Sequence, residues 1–182
     1  MKFETTSIQD CYVITPRLFE DERGYFFESF NQEAFSKATG ITRKFVQDNQ
    51  SKSQFGVVRG LHAQKGEHAQ AKLVRVVKGL ILDIAVDIRK ESATFGNYIA
   101  IELSDINKRQ LFIPHGFAHG FVVLSDDAIV NYKSDNYYSP ESEGSILWND
   151  SQLNIDWILP IDEIVLSDKD KMSPMFKDIV PF

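Results

Sequence analysis

The sequence predicts an all-β protein, a sandwich, jelly roll or small barrel, on three observations. Apolar residues recur with period two, many short apolar runs are separated by turn residues, and only one segment carries helix-capping signals. In chain order, strands are expected over 10–14, 24–30, 43–47, 55–61, 71–77, 82–88, 97–103, 109–113, 121–124 and 128–133. The turn chemistry between them is Asp21-Glu22-Arg23-Gly24, Lys78-Gly79, Ser104-Asp105 and Ser139-Pro140. The clearest strand sets Leu82, Ile84, Val86 and Ile88 against Asp83, Ala85 and Asp87, so one face is apolar and the other carries two carboxylates. The one convincing helix follows Asn31 as N-cap, has Glu33 in its first turn and closes at Gly40. The tail over 162–182 reads as a short helix and loop packed across one end of the barrel. Without a repeat, linker or low-complexity tract, residues 1–182 are read as one domain.

The chain has 182 residues, a net charge of −6 and 43% hydrophobic content, enough for a sizeable core and too apolar for disorder. Its acidic balance argues against nonspecific nucleic-acid binding, which needs a positive field to release phosphate counterions. A local basic pocket for a phosphate ester remains compatible with it. The single cysteine, Cys11, excludes an internal disulfide and fits a reducing compartment. Residues 1–10 contain no apolar leader and runs such as 121–124 are far too short to span a bilayer, so a cytoplasmic protein without membrane contact is expected.

Function is sought where polar residues interrupt apolar strands. In FGVVRGLHAQ (55–64), Arg59 and His62 are three positions apart, so a regular strand would send them to opposite faces. Gly60 between them is read as a bulge that turns both into one cavity. Lys72 and Arg75 lie in AKLVRVV (71–77), His115 and His119 in IPHGFAHGF (113–121), and Tyr132, Tyr137 and Tyr138 follow. Taken singly, each is more often structural: a satisfied histidine, a rim arginine, a solvated lysine, a core tyrosine. Gly56 six residues before His62, together with Pro114-His115-Gly116-Phe117-Ala118-His119, resembles the two motifs of cupin jelly rolls. Gln64 stands where a second histidine ligand is expected and Glu67 lies too close, leaving two imidazoles without a reliable third ligand. The expected metal set is therefore none, with the pocket kept.

DERGYFFES (21–29), FVQDNQSKS (45–53), RGLH (59–62), QAKLVRVVKG (70–79), TFG (94–96), RQLFIPHGFAHGF (109–121), YYSPESEGSILWND (137–150) and LSDKD (166–170) follow one another along nearly the whole chain. In this order they resemble the dTDP-4-dehydrorhamnose 3,5-epimerase family. The resemblance implies a cupin-like jelly roll, a homodimer, no metal and no other cofactor. It implies inversion at C3 and C5 of dTDP-4-keto-6-deoxyglucose, by enolisation next to the C4 ketone. His62 matches the family base, and Asp170 its carboxylate partner, preferred over Asp168 because it ends the LSDKD block. Lys72 matches the cation at the C4 oxygen, and Tyr132 the acid on the opposite sugar face; the ketone itself is the electron sink.

For the nucleotide, the resemblance implies Arg23, Arg59 and Lys169 at the diphosphate. His119 is implied as a donor to sugar or phosphate and Glu143 as a further substrate contact. Glu28, Gln47, Asp48 and Asn49 are implied around thymine and deoxyribose, with Phe26 and Tyr138 stacking on the base. Arg23 and Glu28 are implied to come from the neighbouring subunit. Three positions depart from the family pattern: Ala63 replaces an aromatic residue after the base, His115 replaces a common Glu, and Asn131 precedes Tyr132 in place of an apolar residue. A lost ring beside His62 is expected to widen the sugar pocket or to alter which carbon is presented. That keeps a single-carbon epimerase open as the alternative, beside a metal-dependent cupin enzyme and a catalytically silent binding module.

Overall fold

The computed structural model describes residues 1–179, so the last three positions of the expected tail lie outside the described residues. Thirteen strands and two α-helices are seen among them. The strands are β1 (Lys2–Thr5), β2 (Tyr12–Thr15), β3 (Phe19–Asp21), β4 (Gly24–Phe26), β5 (Gln47–Gln54), β6 (Val58–Gln64), β7 (Lys72–Lys78), β8 (Leu80–Asp87), β9 (Tyr98–Ser104), β10 (Gln110–Ile113), β11 (Phe117–Val123), β12 (Asp127–Ser134) and β13 (Glu143–Ser145); the helices are α1 (Gln32–Thr39) and α2 (Asp168–Lys171).

One sheet runs β1-β2-β10-β7-β12-β5, a second runs β13-β6-β11-β8-β9, and β3 and β4 form a separate hairpin. All ladders within these sheets are antiparallel, and the non-consecutive neighbours give the crossing connections of a jelly roll. Strand alternation then builds three apolar layers. Between the sheets, Val74, Val76, Leu111, Ile113 and Val130 meet Ile81, Ala85, Phe117 and Phe121. Behind the five-stranded sheet, Leu61, Leu82, Ile84 and Val86 pack against Trp148, Trp157 and Phe176 of the C-terminal segment. Behind the six-stranded sheet, Phe35 of α1 packs with Ile14, Leu73 and Phe112.

The caps of α1 are as the sequence predicts: Ala34 N–H donates to Asn31 Oδ1 at 2.9 Å, and Gly40 takes a left-handed φ of 76°. Several expectations differ, among them the strand over 24–30, which ends at Phe26, and the strand over 55–61, which begins at Val58. The strand expected over 43–47 is displaced to β5, whose wholly polar sequence gives no apolar period; it is a strand because all eight residues pair with β12. β1, β3 and β13 are short pairings that carry no period of their own. β11 begins four residues before the expected start and takes His119 into the sheet. Finally, the carboxylate-bearing face of β8 is as buried as its apolar face: Asp83 and Asp87 are both 0% exposed. Asp87 is satisfied by Arg89, Ser92 and Thr94, which hold its carboxyl at about 2 against the burial that pushes it up.

Candidate active site

Between the sheets lies a cavity of about 440 Å³, walled by Arg59 and His62 of β6, Lys72 of β7, His119 of β11, Tyr132 of β12 and Lys169 and Asp170 of α2. The bulge expected at Gly60 is present. His119 faces His62 across the β11–β6 ladder but Phe121 faces Arg59, so β6 holds one extra residue in this interval. Gly60 is needed for close approach, because a Cβ there would stand 2.5 Å from the Gly120 Cα. The extra residue brings Arg59 and His62 to the same cavity despite their odd spacing.

His62 Nε2–H donates to Asp170 Oδ1 at 2.6 Å, because an ionised carboxylate only accepts. Asp170 is buried, and its second oxygen accepts from Ser167 Oγ at 2.8 Å while Ser167 caps α2 by accepting from the Asp170 N–H. Burial raises the Asp170 carboxyl, but the hydrogen bonds from His62 and Ser167 outweigh it and hold the group below its usual range. The carboxylate is thus ionised, the imidazole is fixed by Nε2, and Nδ1 is left to take up a proton. Asp168 points to solvent and pairs with Lys171 instead, so the geometry selects Asp170. Ser167 was not singled out from sequence, although its Ser-x-x-Asp spacing is a capping signal.

Across the cavity, on the other sheet, burial pushes the Lys72 ammonium down to about 8, with the carboxylates of Asp83 and Glu143 opposing the shift. Its Nζ lies 5.9 Å from the centre of the Tyr132 ring. Burial raises the Tyr132 phenol above its ordinary value, so it stands protonated, while Arg59 draws it the other way. His119 is buried and donates from Nε2 to Asp83 Oδ1 at 2.8 Å; burial lowers its affinity for a second proton. At the rim, Glu143 Oε2 accepts from Lys169 at 2.6 Å and from the Tyr138 hydroxyl at 2.9 Å.

Gln47 and Asn49 lie on one face of β5, hydrogen-bonded to each other at 3.0 Å, and the Gln47 carbonyl oxygen accepts from the Tyr138 N–H. Asp48 is on the opposite face, paired with Lys133 at 2.8 Å, and lines a smaller pocket with Arg75 and Asn131. Arg59 is steadied by Ser53 at 2.9 Å. Arg23, Phe26 and Glu28 do not line the cavity of their own chain. Arg23 pairs with Asp21 in the exposed β3–β4 hairpin, Phe26 is 70% exposed, and Glu28 accepts from Asn31.

Two of the departures from pattern resolve as structure. Ala63 alternates away from His62 into the core behind the sheet, with Trp148 and Trp157, so its small size does not widen the sugar pocket as expected. His115 pairs with Asp135 at 2.8 Å, and Asp135 also accepts the Ala71 N–H, fastening the start of β7. Asn131 faces away from the cavity, and its buried Oδ1 has no hydrogen-bond partner among the described residues. Gln64, at the position of a cupin ligand, accepts the Ser139 N–H at 2.9 Å. Among the described residues no three His, Cys, Asp or Glu side chains converge as a metal site requires.

A family model described as dTDP-4-dehydrorhamnose 3,5-epimerase matches residues 5–178. A protein of that description from Salmonella typhimurium is 56% identical over 171 residues, covering 93% of this chain and 92% of its own. The crystal structure of one from Elizabethkingia anophelis superposes with a TM-score of 0.95 at 56% identity, over 98% of this chain and 97% of that one. A dTDP-6-deoxy-D-glucose-3,5-epimerase from Legionella pneumophila, in complex with dTDP-4-keto-L-rhamnose, gives a TM-score of 0.95 at 48% identity, over 98% and 94%.

Proposed function

Because the chain belongs to the dTDP-4-dehydrorhamnose 3,5-epimerase family, we propose that its cavity performs the family's double inversion with His62 as base, Lys72 as electrophile and Tyr132 as acid. The protein is an isomerase that inverts C3 and C5 of dTDP-4-keto-6-deoxyglucose in dTDP-rhamnose biosynthesis.

The observation that carries the assignment of roles is the placement of base and acid on opposite sheets. His62, backed by Asp170 at 2.6 Å, stands on β6, and Tyr132 stands on β12 across the cavity. A sugar held between them presents one face to each, and inversion requires removal of a proton from one face and delivery to the other. Carbon acids beside a ketone are weak, so the rate depends on stabilising charge that develops on the C4 oxygen. Lys72 supplies a cation in a water-poor site for this purpose. His62 takes the C–H proton at Nδ1, the electron pair moves to the C4 oxygen, and Tyr132 returns a proton to the opposite face of the same carbon. His62 then gives its proton to solvent and Tyr132 regains one from it, and the sequence is repeated at the second carbon.

Arg59 and Lys169 at the mouth suit the diphosphate, and Gln47, Asn49 and Tyr138 suit the base and deoxyribose. Arg23, Phe26 and Glu28, exposed on and beside the hairpin, are read as completing the site of a neighbouring subunit in a cytoplasmic homodimer. Asp48 lies on the far face of β5, so any part it has in binding goes through its backbone. The test is NMR after incubation with dTDP-4-keto-6-deoxyglucose in deuterated water. Deuterium is expected at both C3 and C5; exchange at one carbon only would favour the single-carbon reading, and exchange at neither would overturn the assignment.

A further inference from the structure

Behind His119 of the cavity wall lies a carboxylate with no part in the proton transfers just described. Asp83 occupies the middle of β8, between Ile81 and Ala85 on the face that closes the inter-sheet core, and opposite Phe121 of β11 and Ile101 of β9. It is 0% exposed. His119 Nε2–H donates to its Oδ1 at 2.8 Å, while Oδ2 is buried with no hydrogen-bond partner among the described residues. Packing alone would be served better by an aliphatic side chain, since an unmatched buried carboxylate oxygen costs free energy. The offset is positive charge, and Lys72 supplies it.

We infer that Asp83 is a positioning residue for the epimerisation, anchoring the His119 ring and keeping Lys72 an ammonium at the C4 oxygen. The inference rests on the role given to Lys72 above. Lys72 shares the cavity with His119 of β11, His62 and Arg59 of β6 and Tyr132 of β12, and the carboxylates of Asp83 of β8 and Glu143 of β13 act on its charge. Among the charged groups of the described residues, the two carboxylates are those that favour the cation. Glu143 is shared with Lys169 and Tyr138 at the rim, whereas Asp83 is paired with His119 alone. With burial already holding Lys72 at about 8, removing the Asp83 charge lowers the ammonium further. The Nε2–H bond to Asp83 also fixes the His119 tautomer, leaving Nδ1 as an acceptor for a substrate hydroxyl.

Asp83→Asn keeps the size and the acceptor oxygen but removes the charge. Its deuterium wash-in should show an alkaline limb displaced downward by about one pH unit, with about tenfold less kcat near pH 8, a smaller loss at lower pH and little change in KM. A profile that superimposes on wild type, or a loss uniform with pH as a purely structural carboxylate would give, overturns the inference. If Asp83→Asn does not fold, ¹⁵N NMR of histidine-labelled wild-type protein, assigned with His119→Gln, reads the same arrangement. Nε2-protonated, Nδ1-bare His119 near neutral pH supports it, and the opposite tautomer overturns it. Lys72→Met separates the two levels: exchange that survives it overturns the Lys72 role and this inference together. An inactive Lys72→Met beside an unshifted Asp83→Asn overturns the inference alone.

Discussion

Lys72 must remain charged in a place that penalises charge. Its ammonium is held down to about 8 by burial, and the role proposed for it at C4 needs the protonated form. A group with a lowered value keeps its proton below that value, so the alkaline limb of turnover should fall as pH rises through about 8. A pH series of deuterium wash-in checks this, and activity unchanged well above that pH would exclude Lys72 as the electrophile. His62→Ala should cost about 10²–10⁴-fold in exchange, the usual worth of a positioned base, while dTDP binding by calorimetry stays near wild type. Tyr132→Phe removes the proton donor but leaves the base, so net inversion should slow more than wash-in. Equal losses would argue against a separate acid. These side chains were legible from their local blocks; their mutual distances were not. Lys72 and Tyr132 belong to neighbouring strands of one sheet and His62 to the other, and no sequence interval encodes that facing arrangement.

At the level of elements, the bulge in β6 and the short helix α2 do the positioning. Gly60→Ala would place a Cβ 2.5 Å from the Gly120 Cα and 2.8 Å from the His119 carbonyl oxygen, both backbone atoms that cannot swing aside. We expect it to destabilise the fold by about 1–3 kcal/mol and to reduce exchange, read by denaturant melts and wash-in on the same sample. Asp87 staples the turn after β8 through Arg89, Ser92 and Thr94. Its carboxyl is depressed to about 2, so the stability it contributes is present above the ordinary aspartate value and is lost as pH falls toward about 2. Asp87→Asn should therefore lower the melting temperature at neutral pH and converge with wild type in acid. The glycine between Arg59 and His62 was enough to anticipate a bulge, and Asn31 with Gly40 enough to place α1. β5 was not legible, because its eight polar residues are made a strand by β12 and by nothing in their own order.

At the scale of the whole molecule, the site described within one chain leaves Arg23, Phe26 and Glu28 outside it. If a neighbouring subunit receives them, His62→Ala and Arg23→Ala are complementary lesions. Each mixed dimer then holds one site with both His62 and Arg23 intact. Refolding equal amounts together should restore about a quarter of wild-type activity, the random-pairing value for a twofold dimer. Mixing that yields only the sum of the two separate activities would place Arg23 and His62 in the same chain's site.

The alternation of apolar and polar residues, the turn residues, the caps of α1 and the ordered blocks from 21 to 170 determine an all-β jelly roll and its family, and single out the candidate side chains for chemistry, since period and residue type are local properties of the chain. What only the tertiary structure decided is direction and company. It turned Ala63 away from the cavity, separated Asp48 from Gln47 and Asn49, paired His62 with Asp170 rather than Asp168, and buried Asp83 behind His119. The reason is that both faces of each central sheet are covered, so a polar residue on a strand can face either a packed layer or the cavity. Which one it meets is set by strand order and by a single extra residue in β6.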